Sequence, residues 1–179
     1  VQLELAGEGQ ADALLNQTQR DYPLSVGKTF DHTLYESGKR RLINLASERG
    51  YLDAAYTTHT VAINNSDNTA QIRLQLDTGR RYLFGQVNIP DTVINRDILE
   101  RYVPFKNGAP YDANQLIVLG QNLRDSNYFE EAIVHASQGE SVDYHIPITV
   151  TLTPRPKNSL RVGAGYGTDS GPRLVGSWD

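Results

Sequence analysis

Two hydrophobic patterns alternate along the chain, and their order predicts the first set of elements. Apolar residues at every second position are typical of half-buried strands, and spacings of three or four are typical of amphipathic helices. Pro23 and Gly50 are stop signals for two such helices. The predicted order is strand, helix, helix, strand, strand, at Val1–Ala6, Gln10 to about Tyr22, Asp31 or Thr33 to Gly50, about Ala54–Asn64 and Thr69–Asp77.

The same order returns in the second half of the chain. The motif Gly27–Asp31 reappears as Gly108–Asp112, and one helix-length stretch follows each copy. A period of roughly 80 residues is too long for a solenoid unit and has the size of a small domain. The sequence therefore predicts an α+β fold of two tandem β-α-α-β-β modules. The second set is predicted at Tyr82–Ile89, a short helix capped by Asn95, a helix capped by Asp112, Tyr128–Ser137 and Tyr144–Thr153.

Two local features concern the second helix of each module. Thr33 and Glu36 have the spacing of a capping box, and Gln115 lies at the corresponding position of the later helix. Gly38 and Gly120 each lie four residues after a leucine. An interior helical glycine costs about 1 kcal/mol relative to alanine. The recurrence is therefore either a coincidence or a sign that the helix approaches the sheet closely.

The end of the chain fits neither copy. After a linker at Pro154–Asn158, apolar positions alternate with small or charged ones in two extended stretches separated by a turn at Thr168–Pro172. Such alternation over ~9–11 residues is a weak signature of transmembrane β-barrel strands, although a soluble glycine-rich hairpin has the same pattern. The predicted barrel-start positions are Leu160, Val162, Ala164, Tyr166 and Trp178. The predicted domains are residues 1–79, 80–157 and 158–179.

Composition narrows the classes of function. The 179 residues have a formal net charge of −4, which weighs against nucleic acid as the main partner. The sequence has no cysteine, which excludes disulfides and cysteine-based zinc sites. The histidines lack ligand spacing, and the adjacent Glu130 and Glu131 point to opposite faces of a strand. The sequence predicts no enzyme, no catalytic, metal-binding or cofactor-binding residues and no cofactor. The absence of methionine predicts a piece of a longer or processed precursor.

Three further segments, taken with the order of elements, resemble a known family of proteins. Asp77–Val87 resembles the junction between consecutive POTRA (polypeptide-transport-associated) domains of the Omp85 superfamily. Val103–Gly108 is similar to a segment of the last POTRA domain in the TamA branch of that superfamily, and Leu160–Arg173 is similar to that branch's first barrel strands. The resemblance implies the second and third POTRA domains of a longer protein. Each would be a three-stranded mixed sheet covered by two helices, and a barrel would follow them.

The resemblance also implies a location and partners. It implies a periplasmic arm of a Gram-negative outer-membrane protein that assists the insertion and secretion of autotransporters and other outer-membrane proteins. The partners would be unfolded clients, a TamB-like protein anchored in the inner membrane, and the outer membrane itself through the barrel, with no nucleic acid. A BamA-like protein or a two-partner secretion translocator is the nearer alternative. Tandem KH-like RNA-binding modules share the element order, but both motif copies lack the second glycine of a GXXG loop.

The candidate binding residues follow from the family's sheet. Its second strand is an exposed edge, whose unpaired N–H and C=O groups can take an added strand. The opposing interpretation is that threonines and glutamates merely blunt a solvated edge. The candidate edge-strand residues are Tyr56, Thr57, Thr58, His59, Thr60 and Val61 in the first module, and Phe129, Glu131, Ile133 and His135 in the second.

Overall fold

The computed structural model describes residues 1–90, 94–155, 160–167 and 171–178. Short 3-10 helices lie at Glu8–Ala11 and Gln138–Glu140. The helices are α1 (Ala13–Arg20), α2 (His32–Glu48), α3 (Arg96–Glu100) and α4 (Ala113–Asp125). The strands are β1 (Gln2–Ala6), β2 (Ala55–Asn64), β3 (Thr69–Asp77), β4 (Leu83–Asn88), β5 (Phe129–Ala136), β6 (His145–Pro154), β7 (Leu160–Gly167) and β8 (Gly171–Trp178).

Two three-stranded sheets have the same topology. Their strand orders are β1-β3-β2 and β4-β6-β5, so the last strand of each module lies in the centre. The first strand pairs with it in parallel and the second pairs with it in antiparallel orientation. This confirms the predicted fold class, two mixed sheets with two helices each. The boundaries at residues 79 and 157 stay predictions.

Acidic and amide side chains determine where the helices begin. Asp12 accepts hydrogen bonds from the first-turn N–H groups of α1, and Asp31, Asn95 and Asp112 do the same for α2, α3 and α4. These groups have no partner inside a helix, so an N-cap stabilises it by about 1 kcal/mol. The α2 cap is therefore Asp31 rather than Thr33. The buried Gln115 Oε1 has no hydrogen-bond partner.

The two helical glycines face different neighbours. A Cβ on Gly120 would lie 3.7 Å from Val134 and 3.9 Å from the Ala132 carbonyl, so this glycine does face the sheet. A Cβ on Gly38 would instead lie 2.6 Å from the ring of Tyr22. The prediction of a close helix-to-sheet approach is therefore wrong for Gly38, which makes room for an aromatic ring from the preceding segment.

Aromatic residues organise the core of the second module. Phe84 stacks on Phe105 with ring centroids 3.8 Å apart, and its ring lies 5.1 Å from that of Tyr111. These three side chains are buried together with the inward faces of α4 and β6. The first module has two smaller clusters, one around Leu42 and one around Leu24. The inward face of β6 includes Ile146 and Ile148, which are fully buried.

Arg49, just after α2, joins the two modules. Its guanidinium forms an ion pair with Asp12 at 3.0 Å and a second one with Asp112 at 3.3 Å. Asp12 caps a helix of the first module and Asp112 caps a helix of the second. Burial by itself raises the pKa of Asp12, but hydrogen bonds from Arg49 and from the α1 backbone, with the Arg49 charge, hold that pKa below its ordinary value.

The segment after β3 adds backbone contacts to the same junction. Arg81 donates from Nε to the Arg49 carbonyl at 2.7 Å and from Nη2 to the Tyr111 carbonyl at 3.2 Å. The Tyr82 N–H donates to the Gly50 carbonyl at 2.8 Å. Leu52, from the loop before β2, packs against the core of the second module. The modules therefore share both polar and apolar contacts.

The end of the chain is an antiparallel pair. β7 pairs with β8 in a continuous register from Leu160 opposite Trp178 to Gly167 opposite Gly171. The predicted extended conformation of this segment is confirmed. The predicted turn at residues 168–170 and the greater part of the predicted linker, residues 156–158, lie outside the described residues.

Candidate functional site

The sheet order leaves β2 and β5 each at one edge. Each pairs with the central strand of its own sheet and, within the described residues, with no other strand. Such an edge presents N–H and C=O groups that can bond to an added strand. The predicted edge position of both strands is therefore confirmed, whereas binding at them is a separate question that depends on what surrounds each edge.

A groove runs beside the β5 edge in the second module. It has a volume of about 250 Å³ and lies between α4 and β5. An added strand would point every second side chain toward the helix side of the sheet, where such a groove can receive it. Ile117 is 58% exposed at the groove. The lining residues are Leu116, Ile117, Gly120 and Arg124 from α4 and Ala132 and Val134 from β5.

One charged side chain of the groove contacts the edge backbone. Arg124 donates from Nη1 to the Ala132 carbonyl at 3.2 Å. Gly120 makes this arrangement possible, because its position leaves space that Arg124 and Val134 border. A strand that bonds to this carbonyl must compete with the guanidinium. Arg124 therefore weakens the binding of an added strand at this position.

The corresponding space in the first module is filled. The Tyr56 hydroxyl donates to the Lys39 carbonyl at 2.9 Å, so its side chain spans from β2 to α2. The Lys39 ammonium lies over the Tyr35 ring at 4.9 Å and pairs with Glu36 at 3.3 Å. Burial raises the pKa of Tyr56 above its ordinary value. Where Tyr56 spans from β2 to α2, the β2 edge therefore offers backbone groups beside a filled space.

The candidate residues of the first module divide by face. Tyr56 and Val61 pack against the core clusters. Thr58 is partly exposed and lies opposite Gln75 on the central strand. A bulge between Tyr56 and Thr58 places Thr57 outside the regular pairing. The remaining candidates, Thr57, His59 and Thr60, are exposed.

The candidates of the second module are divided by another bulge. Glu131, Ile133 and His135 are exposed, but Phe129 is only 1% exposed and lies in the core. The register shift between Phe129 and Glu131 explains the difference, because an extra residue reverses the alternation of faces. The side chain of Phe129 is therefore not available at the edge.

Sequence reasoning missed the residues that form the groove. Ala132 and Val134 are on the opposite face of β5 from the exposed candidate Ile133. Ile117 and Val118 lie outside the buried face of α4, which includes Leu119 and Leu123, and both are exposed. Two consecutive apolar residues outside a helix's core face were the available signal.

Three further observations concern the barrel-start candidates, metal-binding side chains and membrane-spanning helices. The backbone register places the barrel-start candidates Val162, Ala164 and Tyr166 opposite Gly176, Leu174 and Pro172. Across residues 1–90 and 94–155, no group of three or more acidic or histidine side chains is placed to hold a metal ion. In the described part of the chain no helix combines the length and apolar character that crossing a membrane requires.

Comparison with known sequences finds curated relatives at low identity. No protein-family model matches the sequence. The outer membrane protein assembly factor BamA of Buchnera aphidicola is 24% identical over 133 residues, which are 73% of this chain and 21% of BamA. The chain therefore spans about a fifth of the length of that relative.

Solved structures define the class of the modules. BamA from Haemophilus ducreyi lacking POTRA domains 1–3 matches 99% of this chain and 33% of its own, with a TM-score of 0.62 and 22% identity. Haemophilus influenzae BamA POTRA3–5 matches 85% of this chain and 59% of its own, with a TM-score of 0.55 and 18% identity. CdiB from Acinetobacter baumannii matches 91% and 31%, with a TM-score of 0.51 and 13% identity.

The two modules are therefore consecutive domains with the POTRA fold. This fold is shared with proteins of the Omp85 superfamily, among which BamA chains give the TM-scores of 0.62 and 0.55.

Proposed function

We propose that this chain is the periplasmic POTRA arm of an outer-membrane protein assembly or translocation factor. In this function the arm binds extended segments of unfolded client proteins and guides them toward a barrel. The observation that carries the proposal is the apolar groove beside the free β5 edge. Backbone pairing accepts many sequences, and a groove that receives alternate side chains selects those with the alternating pattern of barrel strands.

The second module is the binding module in this proposal. Its groove is open and lined by Leu116, Ile117 and Val134, whereas Tyr56 and Lys39 close the equivalent space in the first module. Both modules have a free edge, so the difference between them lies in the groove. The first module then serves mainly to hold the second at a fixed distance and angle.

The proposed protein is TamA-like. The support is the sequence of the tail, Leu160–Arg173, together with Val103–Gly108. In this proposal the arm acts in autotransporter secretion, docks a TamB-like partner from the inner membrane, and leads into an outer-membrane barrel that begins with β7. The alternative is a BamA-like arm, which the similarity to BamA chains favours. A two-partner secretion translocator is favoured only by the fold it shares with CdiB.

A peptide titration followed by NMR tests the binding function. The peptide alternates apolar and polar residues as barrel strands do. We expect shifts at the amides of Ile117, Ala132 and Val134, and weaker binding by roughly fivefold or more in Ile117→Asp, since a charge in the groove opposes burial of an apolar side chain. The matched control is Val142→Asp, because Val142 is 71% exposed and lies outside the groove.

A second variant separates the edge from the groove. Arg124→Ala frees the Ala132 carbonyl, and we expect tighter peptide binding than in the unmodified chain because the guanidinium no longer competes. Shifts confined to the β2 amides, or equal loss of affinity in Ile117→Asp and Val142→Asp, would contradict the proposal. Site-specific crosslinking from Ile117 and from Thr58 in the full-length protein then distinguishes client from TamB-like contacts.

A further inference from the structure

Each sheet has a second edge, on the side of its first strand. The strand orders β1-β3-β2 and β4-β6-β5 place β1 and β4 at the edges opposite β2 and β5. Edge strands with unpaired N–H and C=O groups are templates for any other extended chain. In a protein that binds by strand addition, an open second edge would compete with the β5 edge for the same chain.

The β4 edge is covered by backbone. The Gly108 N–H donates to the Phe84 carbonyl at 2.7 Å, and the Phe84 N–H donates to the Ala109 carbonyl at 2.8 Å. The Tyr111 N–H donates to the Tyr82 carbonyl at 2.9 Å. The segment before α4 therefore lies along β4 and takes the place that an added strand would use.

The alternation of backbone groups shows which carbonyls of β1 point outward. The Thr78 N–H, just after β3, donates to the Ala6 carbonyl at 3.1 Å, so this carbonyl faces the central strand. Successive residues of a strand direct their backbone groups to opposite sides. The carbonyls of Leu3 and Leu5 therefore point away from β3, toward the position of an added strand.

Two glutamine side chains cover both of these carbonyls. Gln10, in the 3-10 helix after β1, donates from Nε2 to the Leu5 carbonyl at 2.8 Å. Gln19, in the last turn of α1, donates from Nε2 to the Leu3 carbonyl at 2.7 Å. Both distances are those of well-formed N–H···O bonds. The two amides therefore occupy the space in front of the acceptors that an added strand would need.

A tight turn brings Gln10 back to the strand. Gly7 has a φ of 76°, and a Cβ there would lie 2.7 Å from a backbone nitrogen of the segment after β3. The Thr78 hydroxyl, which is fully buried, accepts from the Gly9 N–H at 2.8 Å and donates to the Ala6 carbonyl at 2.9 Å. The turn is thus attached to the end of the central strand, which fixes the position of Gln10.

The packing of α1 fixes the position of Gln19. Leu15 of α1 is fully buried in the same core cluster as Leu5 of β1. Gln19 follows Leu15 by four residues, so the two side chains lie on the same face of the helix. Asp12, at the start of α1, pairs with Arg49 at 3.0 Å and holds this helix at the junction. Gln19 is therefore directed toward β1 by the helix that carries it.

The edges of β2 and β5 are covered much less. Among the described residues, Arg124 is the one side chain that donates to a carbonyl of β5, that of Ala132, and none donates to a carbonyl of β2. β1 has two such bonds on a strand of five residues. The side chains of the first module therefore distinguish between its two edges.

We propose that Gln10 and Gln19 are specificity-determining residues, which prevent other extended chains from pairing with β1 and so direct strand addition to β2 and β5. The choice among edges rests on the proposed function, whereas the covering of β1 is a property of the first module itself. A strand that pairs with β1 has to displace two hydrogen bonds, which lowers its affinity by roughly tenfold.

A strand-forming peptide added in trans tests the proposal. Its sequence is that of residues 69–77, which form β3 and pair in parallel with β1. In the double variant Gln10→Met, Gln19→Met the side chains keep a similar length and lose their donors. On titration with the peptide we expect NMR shifts at the amides of Leu3 and Leu5, with an affinity at least roughly tenfold higher than in the unmodified chain.

The matched control is Gln17→Met, because Gln17 is an exposed glutamine of the same helix and takes no part in these bonds. It should respond to the peptide as the unmodified chain does. Unchanged amides of Leu3 and Leu5 in the double variant would overturn the proposal, whatever the peptide does elsewhere. Equal shifts of these amides in the unmodified chain would also overturn it, since β1 would then be open already.

Two further readouts keep the result interpretable. The proposed function is measured at the amides of Ala132 and Val134 with the alternating peptide, so its failure is distinguishable from failure at β1. Circular dichroism checks that the double variant is folded. If the double variant is unfolded, the single variants Gln10→Met and Gln19→Met each free one carbonyl, and the same titration gives the same decision at Leu5 and at Leu3.

Discussion

A few charged residues stabilise the junction between the two modules. Asp12 has a side chain that is 2% exposed, and it both caps α1 and pairs with Arg49. Arg49 also reaches the α4 cap Asp112, so one guanidinium neutralises carboxylates from both modules. Removing one partner from a largely buried pair leaves the other without compensation. Replacing a single one of these residues should therefore destabilise the junction between the modules.

Arg49→Gln should lower the free energy of unfolding by about 2 kcal/mol, since it leaves the Asp12 carboxylate unpaired. Urea denaturation followed by circular dichroism measures the change. The matched control is Arg96→Gln, which removes an exposed pair with Glu100 on α3 and should change stability by about 0.5 kcal/mol or less. Equal effects of the two substitutions would refute the assigned role of Arg49.

The depressed pKa of Asp12 gives a pH dependence of definite sign. The unfolded state binds a proton near the ordinary carboxyl pKa of about 3.9, and the folded state binds it only at lower pH. The stabilisation is therefore complete above that value and is lost as pH falls through the folded pKa. We expect the stability difference between the unmodified chain and Asp12→Asn to be constant at pH 5–6 and to shrink below about pH 4. A difference that grows in acid would contradict this.

The contact between the second helix and the edge strand differs between the two modules. α4 lies close to β5 because Gly120 faces the strand, and the resulting groove has room for an added side chain. α2 is linked to β2 by the Tyr56 side chain instead. The same topology thus gives one open groove and one closed groove, and the side chains at the helix–edge contact decide between them.

The two helical glycines should respond to alanine in opposite ways. In Gly38→Ala the new Cβ would lie 2.6 Å from the half-buried ring of Tyr22, whose pKa burial raises to about 12, and we expect a loss of about 1–3 kcal/mol. In Gly120→Ala the nearest atom is the end of the Arg124 side chain at 3.3 Å, so the helix propensity of alanine should make the change neutral or stabilising by up to about 1 kcal/mol.

Thermal unfolding of both variants measures the difference. A destabilised Gly120→Ala with an unaffected Gly38→Ala would show that the surroundings of these glycines are misassigned.

The element order was predictable because its signals are local. Alternation, helical spacing, Asn95 and the aspartate caps each depend on a few neighbouring residues. The groove was not predictable, since it depends on the distance between α4 and β5. Phe129 was misplaced because a bulge changes the parity of faces, and nothing in the alternation of β5 reveals it. The sequence therefore predicted the exposed strand edge, and it did not predict the groove on the other face of β5.

The molecule as a whole behaves as one unit in this structure. Leu52 of the first module packs against the core of the second, and Arg81 bonds to carbonyls of both. The Tyr82 hydroxyl donates to Asp53 at 3.0 Å, and Gln138 donates to the same carboxylate at 2.9 Å. These contacts fix the direction of the second module relative to the first.

The modules should consequently unfold together. We expect a single cooperative transition for the described arm in differential scanning calorimetry. In a Leu52→Ser, Arg81→Gln double variant we expect two separate transitions, because an apolar contact and two hydrogen bonds that couple the domains are removed. The control is Val142→Ser, because Val142 is exposed and takes no part in the contacts named above. Two transitions in the unmodified chain would contradict the shared junction.

The position of Gly50 has a consequence for how such arms diversify. Its φ is 92°, and a Cβ there would lie 2.8 Å from the Tyr111 carbonyl of the following module. The last turn of one module is thus shaped by the backbone of its neighbour. Recombination that exchanges a single module between two arms would separate Gly50 and Arg49 from the surface they fit. Adjacent modules should therefore be inherited as pairs, and chimeric arms should retain their geometry only when the exchanged fragment carries both sides of the joint.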